Sequence, residues 1–388
     1  MSADFLAGNR LQLLESGGEY FPALIAAIDA ALLEVHLETY IFSDDTTGRR
    51  VAAALARAAQ RGVAVRVLVD GFGARDFEAG LGVTLAAAGA EVMTYRPEVG
   101  RFGFRRHRLR RLHRKLAVID GRVGFVGGIN VIDDFNGGES ASARFDYAVR
   151  VEGPLVARIH ATMRHVWRLV RWASLGRRPP PAALPHAATG SGTMLAALLI
   201  RDNLRHRHDI ENAYLSAIAQ ARRDILVASA YFLPGRRFRK ELLTAAKRGV
   251  CVSLLLQGRP DHLLLHYATQ SLYERMLSAG VRVFEYAPAH LHAKVAVIDG
   301  DWATVGSSNI DPFSLLLARE ANVVVRDAAF AAGLRACLAT AIESSAREIR
   351  VEDLRRRSWL ARLASHTAYG LVRILIGATR YAGKRYVE

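Results

Sequence analysis

Short apolar runs and segments of helical apolar spacing alternate along the first half of the chain. Apolar residues at i, i+3 and i+4 indicate an amphipathic helix, whereas a short β-branched run bounded by turn residues indicates a strand. The pattern predicts helices over 19–31 and 49–61, strands over 34–42, 63–69 and 91–95, and an alanine-rich helix that ends near Gly89. The strand over 34–42 shows apolar alternation. Because helices alternate with strands, we expect an α/β layer with helices packed on a largely parallel sheet.

The same pattern recurs in the second half of the chain. It predicts helices over 209–221 and 239–248, and strands over 225–232, 250–256 and 284–286. Gly62 and Gly249 directly follow corresponding helices, where glycine commonly caps the C-terminus. An internal duplication of about 180–190 residues therefore covers most of the chain.

A proline-rich stretch separates the two halves. It contains Pro179-Pro180-Pro181 and Pro185 with several Gly and Ser residues, a composition typical of a linker. We therefore expect an N-terminal half over 1–173, a linker over 174–193, a C-terminal half over 194–350 and a basic amphipathic tail over 351–388.

One short motif occurs once in each half, with identical spacing between its four polar residues. The first copy consists of His113, Lys115, Asp120 and Asn130, and the second of His292, Lys294, Asp299 and Asn309. An apolar run follows each Lys, and a glycine-containing turn follows each Asp. We interpret each copy as a β-hairpin whose entering strand carries His and Lys on one face.

Composition narrows what this motif can do. The 388-residue chain has a formal net charge of +16 and a pI of about 10.4, so an anionic partner is expected, either nucleic acid or acidic lipid. Lys supplies only 5 of the 53 basic residues, yet it stands two positions after His in both copies. This recurrence indicates that a compact ammonium group is required there.

Other features of the sequence exclude several classes of site. The two cysteines, Cys251 and Cys337, lack the spacing of a zinc site or a disulfide framework, which fits a reducing, cytoplasmic setting. The start of the chain shows no secretory signal, and no stretch reaches the roughly 18 apolar residues of a spanning helix. Asp70, Asp133 and Asp134 have no repeated spacing relative to histidine, so we expect no metal site.

A single His-x-Lys hairpin is more often a solvated strand edge than a functional site, but two matching copies favour function. The pattern HxKxxxxDxxxxxxG(G/S)xN, present twice, resembles that of the phospholipase D superfamily. From about Gly8 to Ile349 the chain also resembles bacterial cardiolipin synthases, including residues 37–42, 146–154 and 302–309. The resemblance implies two α/β halves, each a mixed sheet flanked by helices, related by a pseudo-two-fold axis with both motifs at their interface.

The resemblance also implies phosphodiester chemistry without a metal or nucleotide cofactor. A pair of imidazoles can hold one neutral nucleophile and one protonated acid near pH 7. In the family, one His attacks phosphorus and the other protonates the leaving hydroxyl; by analogy these are His113 and His292, although the near-symmetric sequence leaves the reverse assignment open. A carboxylate downstream of the other copy orients each His, at Glu320 for His113 and Asp146 for His292.

The remaining motif residues take supporting roles in this scheme. Lys115, Lys294 and the Asn130 and Asn309 amides would stabilise negative charge on the non-bridging phosphate oxygens. The two motif aspartates, Asp120 and Asp299, are expected to support the structure around the site.

The activity implied by the resemblance is phosphatidyl transfer between two phosphatidylglycerol molecules, giving cardiolipin and glycerol. Such a phosphatidyltransferase would be a peripheral protein on the cytoplasmic side of the bacterial inner membrane. A phospholipase D or transphosphatidylase with another donor or acceptor remains an alternative, as does a metal-independent phosphodiesterase acting on nucleic acid. A basic, non-enzymatic membrane scaffold is a third class. Sequence leaves the oligomeric state open.

Two basic segments are candidates for membrane contact. Residues 101–115 contain eight basic residues and no acid, interleaved with Phe and Leu, which favours contact with an anionic membrane over a solvated loop. Residues 355–386 mix large apolar residues with Arg and Lys, and their apolar part is too short to span a bilayer. We expect helices that lie in the membrane interface rather than an ordinary packed tail.

Overall fold

A computed structural model of the chain describes residues 4–97, 111–134, 143–175, 190–202, 205–259, 262–311 and 318–378. The first half comprises β1 (Leu6–Glu15), α1 (Ser16–Asp29), β2 (Glu34–Thr39), α2 (Thr46–Gln60), β3 (Ala64–Asp70), α3 (Leu81–Ala87), β4 (Glu91–Tyr95), β5 (Arg111–Leu112), β6 (Lys115–Ile119), β7 (Val123–Gly127), β8 (Tyr147–Glu152) and α4 (Leu155–Leu175). Its elements follow the predicted alternation of helix and strand.

The second half repeats this order and then extends it. It comprises β9 (Met194–Arg201), α5 (Asp209–Gln220), β10 (Asp224–Ser229), α6 (Arg236–Lys247), β11 (Cys251–Gln257), α7 (Leu263–Gln270), α8 (Tyr273–Leu277), β12 (Arg282–Tyr286), β13 (Lys294–Ile298), β14 (Trp302–Gly306), β15 (Ala318–Arg326), α9 (Ala328–Ser345), β16 (Ala346–Ile349), α10 (Val351–Arg355) and α11 (Trp359–Ala378).

The strands of the two halves have matching order. In the first half the order is β1-β8-β7-β6-β2-β3-β4, and in the second it is β9-β15-β14-β13-β10-β11-β12, with β16 added at the edge. Antiparallel pairing of β1 with β9 joins the halves into one continuous sheet. The internal duplication and the mixed α/β fold are therefore confirmed.

The expectation of a largely parallel sheet is wrong. Parallel pairing joins β3 to β2 and β4 in the first half, and β11 to β10 and β12 in the second. Most other pairs are antiparallel, including the motif hairpins β6–β7 and β13–β14. The helical crossovers give parallel neighbours, whereas the tight turn of a hairpin allows only antiparallel ones.

Burial of the central strands also differs from the predicted alternation. Every residue of β2 from Val35 to Thr39 is buried, including the polar His36 and Glu38. The charge of Glu38 is paired with Arg114, whose Nε and Nη2 donate to the two carboxylate oxygens. Both faces of β2 are thus covered, which alternating apolar residues alone do not indicate.

The helix ends show where local sequence decides the boundary. Gly62 and Gly249 follow α2 and α6 with φ of +87° and +89°, so both act as the predicted left-handed C-caps. Helix α2 starts earlier than expected because the Asp45 side chain accepts a hydrogen bond from the Gly48 amide at 2.8 Å.

The two halves share a core. One apolar cluster combines Val149 and Met163 of the first half with Val295, Val323 and Leu334 of the second. One long helix of each half reaches the other half, since α4 packs on β9 and α9 packs on β1. The proposed boundaries 1–173, 174–193 and 194–350 stay predictions, because residues 176–189 lie outside the described residues.

The tail helix α11 is only partly packed. Ala368 and Val372 are buried in the core of the second half, and α11 packs against α7. Its other faces are exposed. None of the helices in the described ranges is long and apolar enough to cross a membrane. Most of the arginine-rich segment 101–115 lies outside the described residues.

Candidate active site

Each motif histidine is held by backbone pairing with the opposite half of the molecule. Strand β5, which precedes His113, pairs in parallel with β15, and the His113 amide donates to the Arg319 carbonyl at 3.0 Å. In the second half, Leu291 forms an isolated parallel bridge with Phe145, and the His292 amide donates to the Phe145 carbonyl at 2.8 Å. Each half therefore pairs the residues before its own histidine, in parallel, with a segment of the other half.

This exchange places each imidazole beside a carboxylate of the other half. His113 Nδ1 lies 3.0 Å from Glu320 Oε1, and His292 Nδ1 lies 2.5 Å from Asp146 Oδ2. The two carboxylate side chains are 0% and 3% exposed, whereas both imidazoles remain 18% exposed. Because a carboxylate accepts a hydrogen bond from Nδ1, the tautomer leaves a lone pair on each Nε2 for chemistry.

The histidines do not lie on the hairpin strands themselves, so that part of the prediction is wrong. Strands β6 and β13 begin at Lys115 and Lys294, two residues later. The residues just before each histidine pair with a strand or loop of the other half. The chain enters its own hairpin only after the histidine.

The two lysines fold back onto their own histidines. Lys115 Nζ donates to the His113 carbonyl at 2.6 Å, and Lys294 Nζ donates to the His292 carbonyl. Lys294 Nζ also lies 3.7 Å from Asp146 Oδ2. Lys115 and Lys294 are only 3% and 1% exposed. The site therefore contains two buried cationic groups that the fold holds in position.

Burial dominates the electrostatics of this site. It lowers the pKa of Lys115 to about 7 and that of Lys294 to about 8, and it raises the pKa of Asp146 to about 6, although these charges attract one another. Burial, together with the charges of Lys294 and Arg144, lowers the pKa of His292 well below its ordinary value. His113 also contributes to that lowering, as expected of two histidines in one site.

The ends of the hairpins surround the carboxylates differently in the two halves. A Cβ on Gly128 would lie 2.3 Å from Asp146 Oδ1, so that carboxylate requires glycine there. At the corresponding position, Ser307 Oγ donates to Glu320 Oε2. Asn130 and Asn309 follow these positions and are 4% and 3% exposed.

The predicted role of the asparagines stays a prediction. The carbonyl of the Asn130 side chain accepts a hydrogen bond from the Ile41 amide at 3.2 Å. This contact orients the side chain and leaves the NH₂ group as the donor.

Tyr40 is a residue of the site that sequence analysis did not single out. Its ring centroid lies 4.9 Å from that of His113, and Lys115 Nζ lies 5.4 Å from its ring centroid. Phe42 and Phe232 form equivalent bridges to the residues after the two asparagines, so the counterpart of Tyr40 is Ala230. Alignment of the two repeats at Phe42 and Phe232 reveals this asymmetry.

The motif aspartates lie away from the histidines, at the far ends of β6 and β13. Asp120 accepts hydrogen bonds from the amides of residues 32, 33 and 34, and Asp299 from those of 222, 223 and 224, at 2.7–3.1 Å. Both residues have positive φ, 51° and 53°. Burial of Asp299 opposes ionisation, but the amide donors hold its pKa below the ordinary range. Both aspartates therefore fix the entry to β2 and β10.

Two of the three aspartates considered as metal ligands accept hydrogen bonds from backbone amides. Asp70 accepts from the amides of Leu112, Phe72 and Gly73, and so anchors β5 before His113. Asp134 accepts from the Gly17 amide at 2.5 Å. Within the described ranges, no three His, Cys, Asp or Glu side chains form a metal-binding group.

Comparison with known proteins places both motif copies in matched regions. A family model described as cardiolipin synthase, PLD-like domain matches residues 24–167 and 214–340, one motif copy in each stretch. Cardiolipin synthase B of Escherichia coli K12 is 40% identical over 383 residues, covering 96% of this chain and 90% of that protein. The chain belongs to this phospholipase D-like family.

More distant members of the family are also similar. Cardiolipin synthase A of Pseudomonas putida GB-1 is 34% identical over 364 residues, covering 94% of this chain and 74% of that protein.

Two solved structures share the fold. Phosphatidylserine synthase of Haemophilus influenzae Rd KW20 matches with a TM-score of 0.67 at 15% identity, covering 100% of this chain and 98% of that one. Polyphosphate kinase of Porphyromonas gingivalis matches with a TM-score of 0.59 at 17% identity, covering 96% of this chain and 54% of that one. At these identities the likeness shows the fold alone.

The separate roles of the motif histidines and aspartates can be tested by substitution. We expect His113→Gln, which keeps an N–H donor for Glu320, to lose activity by on the order of 10³-fold with little change in stability.

Asp120→Ala should lower the free energy of unfolding by about 1–2 kcal/mol, because three amides lose a charged acceptor, while the folded protein stays active. Urea unfolding and turnover measured on the same preparations check both. A stable, fully folded but inactive Asp120→Ala protein would contradict the assignment.

The buried charges predict a bell-shaped dependence of kcat/KM on pH. Below about 6, Asp146 is protonated and stops holding His292, and above about 7 to 8 first Lys115 and then Lys294 lose the positive charge that a phosphate needs. Activity of the free enzyme should therefore be highest between these limits and fall on both sides. A kcat/KM that continues to rise from pH 7 to pH 9 would rule out a charged lysine in the reaction.

Proposed function

We propose that this protein is a cardiolipin synthase, which transfers the phosphatidyl group of one phosphatidylglycerol to the hydroxyl of another and releases glycerol. The observation that carries the proposal is the pair of imidazoles, each oriented by a buried carboxylate of the opposite half. The names of the relatives, which match over nearly the whole chain, support the choice of substrate class.

The geometry supports a double displacement at phosphorus. Nε2 of one histidine forms a bond to phosphorus as the bond to the glycerol oxygen breaks, and the other histidine donates a proton to that oxygen. The second histidine then takes the proton from the hydroxyl of the incoming lipid, whose oxygen displaces the first imidazole. One phosphodiester replaces another, so these residues need no nucleotide to drive the reaction.

By analogy with the family, we assign the attack to His113. In the free site, burial and two cationic neighbours keep His292 neutral, so its action as an acid requires the negative charge of a bound phosphodiester to raise its pKa. The same phosphodiester would keep both lysines protonated. Their ammonium groups then stabilise the non-bridging oxygens, at roughly 3 kcal/mol for one well-placed donor.

The proposed setting is the cytoplasmic face of a bacterial inner membrane, with the protein bound peripherally. Its net charge of +16 favours binding to a membrane surface rich in anionic phospholipid. The proposed substrate, phosphatidylglycerol, is itself an anionic lipid of such a surface.

Incubation of the purified protein with phosphatidylglycerol vesicles tests the function. We expect equal amounts of cardiolipin and glycerol, with loss of both products for His113→Gln and His292→Gln because either change removes an essential imidazole. His208→Ala, a histidine outside the site, is the matched control and should retain activity.

The products of the same incubation separate the alternatives. Phosphatidic acid without cardiolipin would indicate a phospholipase instead. Absence of any lipid product, with cleavage of single-stranded DNA, would indicate a nucleic-acid phosphodiesterase. A denaturing quench at mildly alkaline pH, where the phosphorus–nitrogen bond survives, followed by peptide mapping at the same pH assigns the nucleophile: label on the peptide containing His113 supports the assignment, and label on that containing His292 reverses it.

A further inference from the structure

Helices α7 and α11 carry an unusual concentration of exposed apolar side chains. Nine of the fifteen exposed large apolar residues in the described ranges belong to these two helices. They include Leu263 and Tyr267 on α7, and Trp359, Leu363 and Ile374 on α11, with exposures from 38% to 70%. Because the two helices pack together, we treat these residues as one surface, the α7–α11 face.

Helix α11 has three distinct sides. Ala368 and Val372 are buried against the second half, and the exposed apolar residues occupy a broad side that begins opposite them, at Trp359, and reaches the buried side at Leu375. Arg362, His366 and Arg373 form a strip along the other border of the apolar side, between it and the buried side. A helix that packs through one side and exposes a broad apolar side bordered by arginine has the pattern of an interfacial helix.

The charge around this face is positive. No Asp or Glu occurs between Asp353 and Glu388. Helix α6 lies alongside, since Arg239 Nη1 donates to the Tyr369 hydroxyl at 2.7 Å. Arg236, Arg237 and Lys240 at the start of α6 are exposed. An apolar surface edged by these cations is complementary to a bilayer with anionic headgroups, where each basic residue contributes favourably.

The face also lies at the same edge of the sheet as the catalytic histidines. Thr269 of α7 donates to the Phe232 carbonyl at 3.0 Å, and Phe232 bridges Ile310, which directly follows Asn309. At the end of β11, before α7, Gln257 accepts a hydrogen bond from the Leu291 amide at 3.2 Å, next to His292.

We propose that the α7–α11 face is the surface by which this protein docks onto an anionic bilayer, with Trp359, Leu363 and Ile374 inserted among the lipid chains. Docking through this face holds the histidine edge of the sheet at the level of the lipid phosphates. The proposal rests on the proposed function for its lipid substrate, but it concerns surface residues that take no part in the reaction.

Vesicle binding by the full-length protein tests the docking face. The triple variant Trp359→Ser, Leu363→Ser, Ile374→Ser should bind vesicles of equal parts phosphatidylglycerol and phosphatidylcholine roughly tenfold or more weakly than the wild type. The control triple variant, Leu32→Ser, Leu33→Ser, Val83→Ser, removes equally exposed side chains outside the face and should bind normally. Unchanged binding of the first variant, or no binding by the wild type, would overturn the proposal.

Fluorescence provides a readout that does not depend on the folding of a triple variant. Trp167 and Trp302 are buried, so Trp172→Phe leaves Trp359 as the one exposed tryptophan among residues the structure describes. Vesicles whose phosphatidylglycerol chains are brominated should quench this protein, and should no longer do so after the further change Trp359→Phe. Absence of quenching by vesicles that the protein does bind would place the contact elsewhere and refute the face.

Activity assays distinguish failure of docking from failure of the proposed function. With phosphatidylglycerol dispersed in detergent, the triple variant should form cardiolipin at the wild-type rate, and with vesicles it should be slower in proportion to its binding. Equal rates on vesicles would refute docking while leaving the function intact. If the wild type binds vesicles through this face but forms no lipid product, the proposed function is refuted and the docking proposal stands.

Discussion

The molecule depends on the pairing of each histidine with a carboxylate that belongs to the other half. Glu320 and Asp146 are almost completely buried, and a buried carboxylate without a partner costs several kcal/mol. Each is offset by an imidazole that arrives on backbone from the opposite half, bound there by the amide of the histidine itself. Each carboxylate has one donor from its own half, the Ser307 hydroxyl or the Tyr147 amide, but its imidazole partner comes only from the opposite half. Packing of the two halves therefore assembles the site.

The same constraint explains why the site is chemically active. Two lysines and two carboxylates are held together away from water, and burial shifts the pKa of Lys115, Lys294 and Asp146 toward neutrality. A lysine with a lowered pKa destabilises the folded protein at the pH where it is charged, because the unfolded chain binds its proton more tightly. We expect an anionic phosphodiester in the site to offset this cost, because its negative charge would raise the pKa of both lysines.

Sequence was sufficient for features set by local chemistry. The duplication, the hairpins and the glycine caps at Gly62 and Gly249 follow from short-range patterns, and the family resemblance supplied Glu320 and Asp146. What it missed depends on contacts between distant segments. The antiparallel majority of the sheet, the position of His113 before the hairpin strand and the ring contact of Tyr40 with His113 are all decided by partners elsewhere in the fold. Nor did the repeat show that Asp120 binds the amides of residues 32–34, at the end of β6 away from His113. Equal spacing in two copies does not show which contacts a side chain makes.

The stereochemical course at phosphorus tests the two-histidine mechanism most directly. Phosphatidylglycerol made chiral at phosphorus by isotopic or sulfur substitution is converted by the enzyme, and the configuration of the product phosphodiester is determined. Two successive in-line displacements, each inverting the centre, predict overall retention. Inversion would mean that the acceptor lipid attacks phosphorus directly, and would contradict a covalent intermediate on either histidine.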